Sequence, residues 1–284
     1  MMGRRPGSGE GNLGLRTASA AVLAPAALGA AYLGGPVFIA AVGAAGLLAW
    51  LELRRLLGKP VVGVAGAAGV TGLVAACVLF AVFGAPAAVA AAAAAALVVA
   101  GTERGRPRTR AGSLAGAGIV LFLVVVTLAL RGDDPAGRAT IFWLFAVVWA
   151  SDTGAYAAGR TFGGPRLAPR ISPSKTWAGA AGGVAAGVGA SILLGWLMPL
   201  AGWVVERPSL ASLLAAGALA SIVGQAGDLA ESALKRRVGA DDSGTLIPGH
   251  GGILDRVDAY AAAAFALILA TVLSGGQPPW SYSP

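Results

Sequence analysis

Long apolar runs separated by short polar islands dominate the 284-residue chain. A helix needs about 20 apolar residues to cross a ~30 Å hydrocarbon core. Scanned at that length, the chain shows apolar segments at 17–34, 36–53, 60–83, 87–100 and 111–130, then at 139–158, 178–200, 209–227 and 259–274. The pattern predicts an all-α, polytopic membrane protein of about nine transmembrane helices. The fourth run is short and almost entirely Ala, so it reads as a half-helix paired with the span before it.

The islands orient the spans, because Lys and Arg gather in short cytoplasmic loops. With the N-terminus inside, eighteen of the twenty-one Lys and Arg fall on the cytoplasmic side, and only Arg131, Arg138 and Arg207 on the other. The expected topology is therefore N-terminus cytoplasmic and C-terminus outside, in the cell membrane. Residues 1–16 form a basic cytoplasmic segment, 17–138 the N-terminal helices and 139–284 a C-terminal transmembrane region, within one structural domain. The basic start followed by an Ala-rich stretch also fits a secretory signal peptide. Removing it would leave the orientation of the later islands unchanged.

Composition narrows the class further. Apolar residues make up 56% of the chain and charged ones 12%, against ~25% charged in soluble domains. The +8 net charge is confined to the islands, so neither disorder nor nucleic-acid binding is indicated. The single cysteine, Cys77, sits in an apolar run and supports neither a disulfide framework nor a thiolate-ligated metal. Small-residue runs such as 179–189 permit close helix contacts, and with them a homodimer.

The polar chemistry is concentrated late in the chain. Seven of the thirteen acids, Asp152, Asp228, Glu231, Asp241, Asp242, Asp255 and Asp258, lie on the cytoplasmic side of the C-terminal half. A charge at a membrane helix end is costly unless it pairs, binds metal or faces water. Asp228 directly follows one apolar span, and Asp255 and Asp258 open the last, so two helix ends can offer oxygens to a hard cation such as Mg²⁺. Interfacial salt bridges with Arg256, Lys235 and Arg236 account for the same spacing. The 248–252 loop, PGHGG, exposes glycine amides before a helix start and suits an anion; its His250, the only histidine, also fits a capping role. In the 159–177 island, Arg160, Arg166, Arg170 and Lys175 accompany Ser172, Ser174 and Thr176. That set suits an oligophosphate, although positive-inside topology alone would also place cations there.

Carboxylates for a divalent ion, cations for phosphates and a membrane scaffold together point to transfer of a phosphate-containing group to or from a lipid. An anionic phosphate nucleophile needs no strong base, which agrees with the scarcity of His and Cys.

These residues resemble the phosphatidate cytidylyltransferases, also called CDP-diacylglycerol synthases. Residues 232–258, SALKRRVGADDSGTLIPGHGGILDRVD, follow that family's signature through 27 positions. One departs: Asp241 stands where the family usually has Lys. SDTGAYAAGR at 151–160 and SPSKTWAG at 172–179 are similar to its second marked region, whereas the first 138 residues match only in being hydrophobic. The resemblance implies that CTP and phosphatidate give CDP-diacylglycerol and pyrophosphate, with Mg²⁺ and room for a second cation. It implies Asp228 and Asp255 as catalytic metal-binding carboxylates, with Asp258 a third, and Lys175 on the CTP phosphates, aided by Ser172 and Thr176. Lys235, Arg236, Arg256 and His250 complete the substrate-binding set. The nearest rival is a CTP-dependent kinase of a polyprenol-type lipid, from which CDP leaves instead of pyrophosphate. An ion-coupled transporter fits less well, since the acids sit at span ends and no inverted repeat is evident.

Overall fold

The computed structural model describes residues 9–103, 107–204, 207–240, 243–244 and 251–274. Among them are nine helices: α1 (Gly9–Leu33), α2 (Gly35–Leu56), α3 (Val64–Phe83), α4 (Ala85–Thr102), α5 (Pro107–Arg131), α6 (Pro135–Phe162), α7 (Trp177–Leu200), α8 (Leu210–Val238) and α9 (Leu254–Leu273). Eight are long and apolar enough to cross a membrane, and a shorter apolar stretch, Thr17–Leu33, lies in α1. Large apolar side chains such as Val78, Leu193, Leu200 and Ile222 point outward, the surface that a lipid-embedded bundle presents.

Three features differ from the hydrophobic pattern. The Ala-rich fourth run is a full 18-residue helix rather than a half-helix, because the residues flanking 87–100 continue it and Pro86 suits its first turn. α6 and α8, of 28 and 29 residues, overrun the predicted spans: at 1.5 Å per residue each measures about 42 Å, longer than a ~30 Å core. Their polar ends remain helical: α6 runs past 158 to Phe162, and α8 runs past 227 through Asp228, Glu231 and Lys235 to Val238. Finally, the chain is not entirely helical. Between α6 and α7 lies an antiparallel hairpin of β1 (Arg166–Ala168) and β2 (Ser172–Thr176), pairing Arg166 with Thr176 and Ala168 with Ser172.

The C-terminal helices pack through small residues. On α7, Gly179, Gly183, Gly187, Ser191 and Gly195 recur every fourth position, and all are buried. Side chains or backbone of α6 and α8 close over these positions: Gly183 faces the Ser151 carbonyl and Gln225, and Gly187 faces Ser221. Small residues let helix backbones approach, which is how membrane helices associate where lipid offers no hydrophobic driving force. Ser191 ties the three helices together, accepting from Trp143 Nε1 at 3.0 Å and donating to the Leu213 carbonyl at 2.7 Å. Within the 179–189 run, Gly179, Gly183 and Gly187 are thus packed within the chain, whereas Gly189 is open.

Polar anchors fix the N-terminal half. At one end, buried Arg131 donates to the carbonyls of Ala31 at 2.6 Å and Tyr32 at 3.2 Å, satisfying the C-terminus of α1. Its guanidinium lies where a side chain at Gly34 would project, and Gly34 has φ 67°, so only glycine suits that turn. At the opposite end, Arg54 is 2% exposed; it pairs with Glu103 and donates twice to the Pro60 carbonyl. Lys59 reaches the second oxygen of Glu103 at 3.0 Å. A single buried apolar cluster runs through both halves.

Two outcomes follow from this packing. A bulky side chain in the stripe, as in Gly183→Leu, should separate α7 from α6 and α8 and destabilise the detergent-solubilised protein by about 1–3 kcal/mol or more, read as a lower unfolding temperature. Burial disfavours the Glu103 carboxylate, but hydrogen bonds from Lys59 and Arg54 outweigh it and hold the group below its ordinary value of 4.5. A depressed folded-state value contributes stability above the unfolded value, and that contribution is lost as pH falls through the folded one. Melting measured between neutral and acid pH should therefore lose stability below about pH 4.5 more steeply in the parent protein than in Glu103→Gln.

Candidate active site

The hairpin projects polar residues beside the ends of the long helices. Thr176 closes β2 and is the N-cap of α7, its buried hydroxyl accepting from Gly179 N at 3.0 Å. The residue before it, Lys175, pairs with Asp228 of α8, both side chains being partly exposed. Ser172 lies half-buried on the same strand. The hairpin also meets α8 where Arg236 Nε donates to the Ile171 carbonyl at 3.5 Å.

Two further acids surround that ion pair. Asp152 of α6 and Asp258 of α9 lie within electrostatic reach of Asp228, of each other and of Lys175, and Asp152 also feels Arg256. Three helices and a strand thus bring three carboxylates and two cations to one junction. Asp258 Oδ1 accepts from the Ala259 amide at 2.7 Å, which fixes the side chain against its own helix. Beneath the junction, Gln225 donates to the Ala180 carbonyl at 3.2 Å and reaches Ser151 Oγ at 3.5 Å, holding α6, α7 and α8 in register.

A second ionic group lies nearer the end of α8. Lys235 Nζ is 2.7 Å from Glu231, one turn earlier, and 2.9 Å from Asp255 of α9. Asp255 also accepts from Gly252 N at 3.0 Å and from Ser243 N at 3.2 and 3.3 Å. Its carboxylate therefore fastens the described ends of the α8–α9 connection, with the N-terminal amides of a helix as natural partners for an anion. Glu52 of α2 enters the same region: its Oε2 accepts from Leu254 N at 3.0 Å.

Set against the sequence-based expectations, Asp228, Asp258 and Lys175 meet at one junction, with exposed Arg256 beside it. Asp255 and Lys235 meet in the neighbouring ionic group, together with Glu231. The reason is local. The first turn of α9 turns Asp255 toward loop amides and Lys235, whereas Asp258, one turn on, faces α6 and α8. Thr176 is oriented by its capping bond, and Arg236 lies at the hairpin. His250 and Asp241 lie outside the described residues. Sequence reasoning missed Asp152 as a site residue, although it stands in the quoted SDTG motif, and missed Glu52, for which an acid inside an apolar run was the only signal. Among the described residues, no three acidic, His or Cys side chains are grouped closely enough to hold a metal ion unaided.

The sequence profile of the cytidylyltransferase family matches residues 14–273, which include every described residue of both ionic groups. A phosphatidate cytidylyltransferase of Brucella suis is 44% identical over 271 residues, covering 91% of this chain and 93% of that protein. The enzymes of the same name from Bacillus subtilis and Pseudomonas aeruginosa are 41% and 37% identical, over 47% and 50% of this chain and 47% and 51% of their own. The chain belongs to the cytidylyltransferase family.

Proposed function

We propose that this protein transfers the cytidylyl group of CTP to phosphatidate, giving CDP-diacylglycerol and pyrophosphate, at the cytoplasmic face of the cell membrane. One observation carries the reading: a phosphatidate cytidylyltransferase is 44% identical across 91% of the chain. The junction supports it chemically, since cations suited to phosphate and carboxylates suited to a metal stand side by side. The positive-inside bias of the islands supports the cytoplasmic placement.

The donor set fits Mg²⁺. That ion takes hard oxygens and commonly uses one or two carboxylates together with substrate phosphates rather than an all-protein cage. This agrees with three acids within electrostatic reach that do not close into a ligand set. Asp228 and Asp258 would hold the ion, with Asp152 beside them, and nucleotide phosphate oxygens would complete the coordination. When bound, the ion would neutralise charge on those phosphates. Lys175 exchanges its carboxylate partner for a CTP phosphate, and Arg256 and Arg236 offer charge to the lipid phosphate or the departing pyrophosphate. The phosphatidate oxygen is already anionic, so no strong base is required. It bonds to the α-phosphorus as the bond from that phosphorus to the bridging oxygen breaks, and pyrophosphate leaves with the electron pair. Asp255 keeps Lys235 and the loop amides in place beside this junction.

Purified protein given labelled CTP, phosphatidate and Mg²⁺ should yield lipid nucleotide and pyrophosphate in equal amounts. CDP with a newly phosphorylated lipid would mark a kinase instead. Asp228→Asn and Asp258→Asn should each lower turnover on the order of 10²-fold or more, the scale for losing a preorganised electrostatic group. Near-normal transfer by either variant would overturn its assignment.

A further inference from the structure

Glu52 belongs to the N-terminal half, which carries no signature motif, yet its side chain serves the opposite end of the sequence. It is 1% exposed on an apolar helix, and a buried acid is retained at such a position only where polar partners compensate for desolvation. Among the described residues its partners lie at the α8–α9 connection: the amide of Leu254 at 3.0 Å, the backbone of Ile253, and the hydroxyl of Ser243 at 3.5 Å. A side chain at Gly244 or Gly252 would collide with the Glu52 carboxylate, so both described ends of the connection wrap closely around it. Asp255 grips the same two ends from the other direction, through Ser243 N and Gly252 N.

We infer that Glu52 is a positioning residue for cytidylyl transfer, fixing the start of α9, and with it Asp255 and Lys235, in register with the acids on α6 and α8. What is positioned rests on the function proposed above; that Glu52 does the fixing does not. Arg54, two residues along the same helix, provides an internal control, because it anchors α2 to Glu103 instead of to α9.

The test measures amide hydrogen exchange and steady-state kinetics on the full-length protein in detergent, as Glu52→Ala, Glu52→Gln and Glu103→Gln. Glu52→Ala should raise exchange over 251–260 about tenfold or more, as expected for loss of hydrogen bonds to a charged group, and leave α6 and α7 as protected as before. It should lower kcat by a similar factor at saturating CTP. Glu52→Gln, which keeps an acceptor, should restore most of both, and Glu103→Gln should lower thermal stability without opening 251–260. Unchanged exchange at 251–260 in Glu52→Ala, or an equal rise in every helix, would overturn the assignment. If the parent protein makes no CDP-lipid, the proposed function fails, and the exchange comparison still decides the role of Glu52.

Discussion

Close approach of α6, α7 and α8 is the constraint on which the rest depends. A glycine or serine at every fourth position of α7 removes the side chains that would keep its neighbours apart. The three helices can then share hydrogen bonds through Ser191 and Gln225. Because α6 and α8 are longer than the apolar layer they cross, this packing continues beyond it and carries their polar ends together. The hairpin between α6 and α7 is held at the same place, since β2 ends in the capping residue of α7. Lys175 is therefore delivered to Asp228 by the geometry that buries the glycine stripe.

Charge placement follows a consistent rule. Among the described residues, most acids drawn inward have a cation or an amide for a partner: Asp228 has Lys175, Glu231 and Asp255 share Lys235, Glu103 has Arg54 and Lys59, and Glu52 Oε2 has the Leu254 amide while its Oε1 is left without a hydrogen bond. The arrangement around Asp152, Asp228 and Asp258 is different, because three carboxylates there share the field of Lys175 and Arg256. An excess of negative groups beside cationic side chains is what a site needs if it is to accept a metal and an oligophosphate together.

The hydrophobic pattern made most of the fold legible, since apolar runs longer than about 17 residues admit few other readings. It failed at boundaries. Residues from Gly159 to Phe162 and from Asp228 to Val238 lie beyond the apolar runs, yet nothing among them breaks a helix, and helix continues until Gly163 and Gly239. The hairpin was not legible because its strands are three and five residues long and one contains a proline. Motif positions singled out Lys175, Asp228 and Asp258, but not that they stand at one junction with Asp152. Spacing shows which residues share a helix face; it does not show that Asp255 turns toward loop amides while Asp258 turns toward α6. Glu52 lies 191 residues from Ser243 in sequence, and only the folded chain joins them.

The central claim is that the Lys175–Asp228 pair marks where the nucleotide phosphates land. Equilibrium binding of CTP, titrated with Mg²⁺ in parent and Lys175→Ala proteins, addresses it directly. Mg²⁺ should strengthen CTP binding to the parent, and Lys175→Ala should weaken it about tenfold or more, as for a lost charge-assisted contact to phosphate. Equal CTP affinity in the two proteins would contradict it.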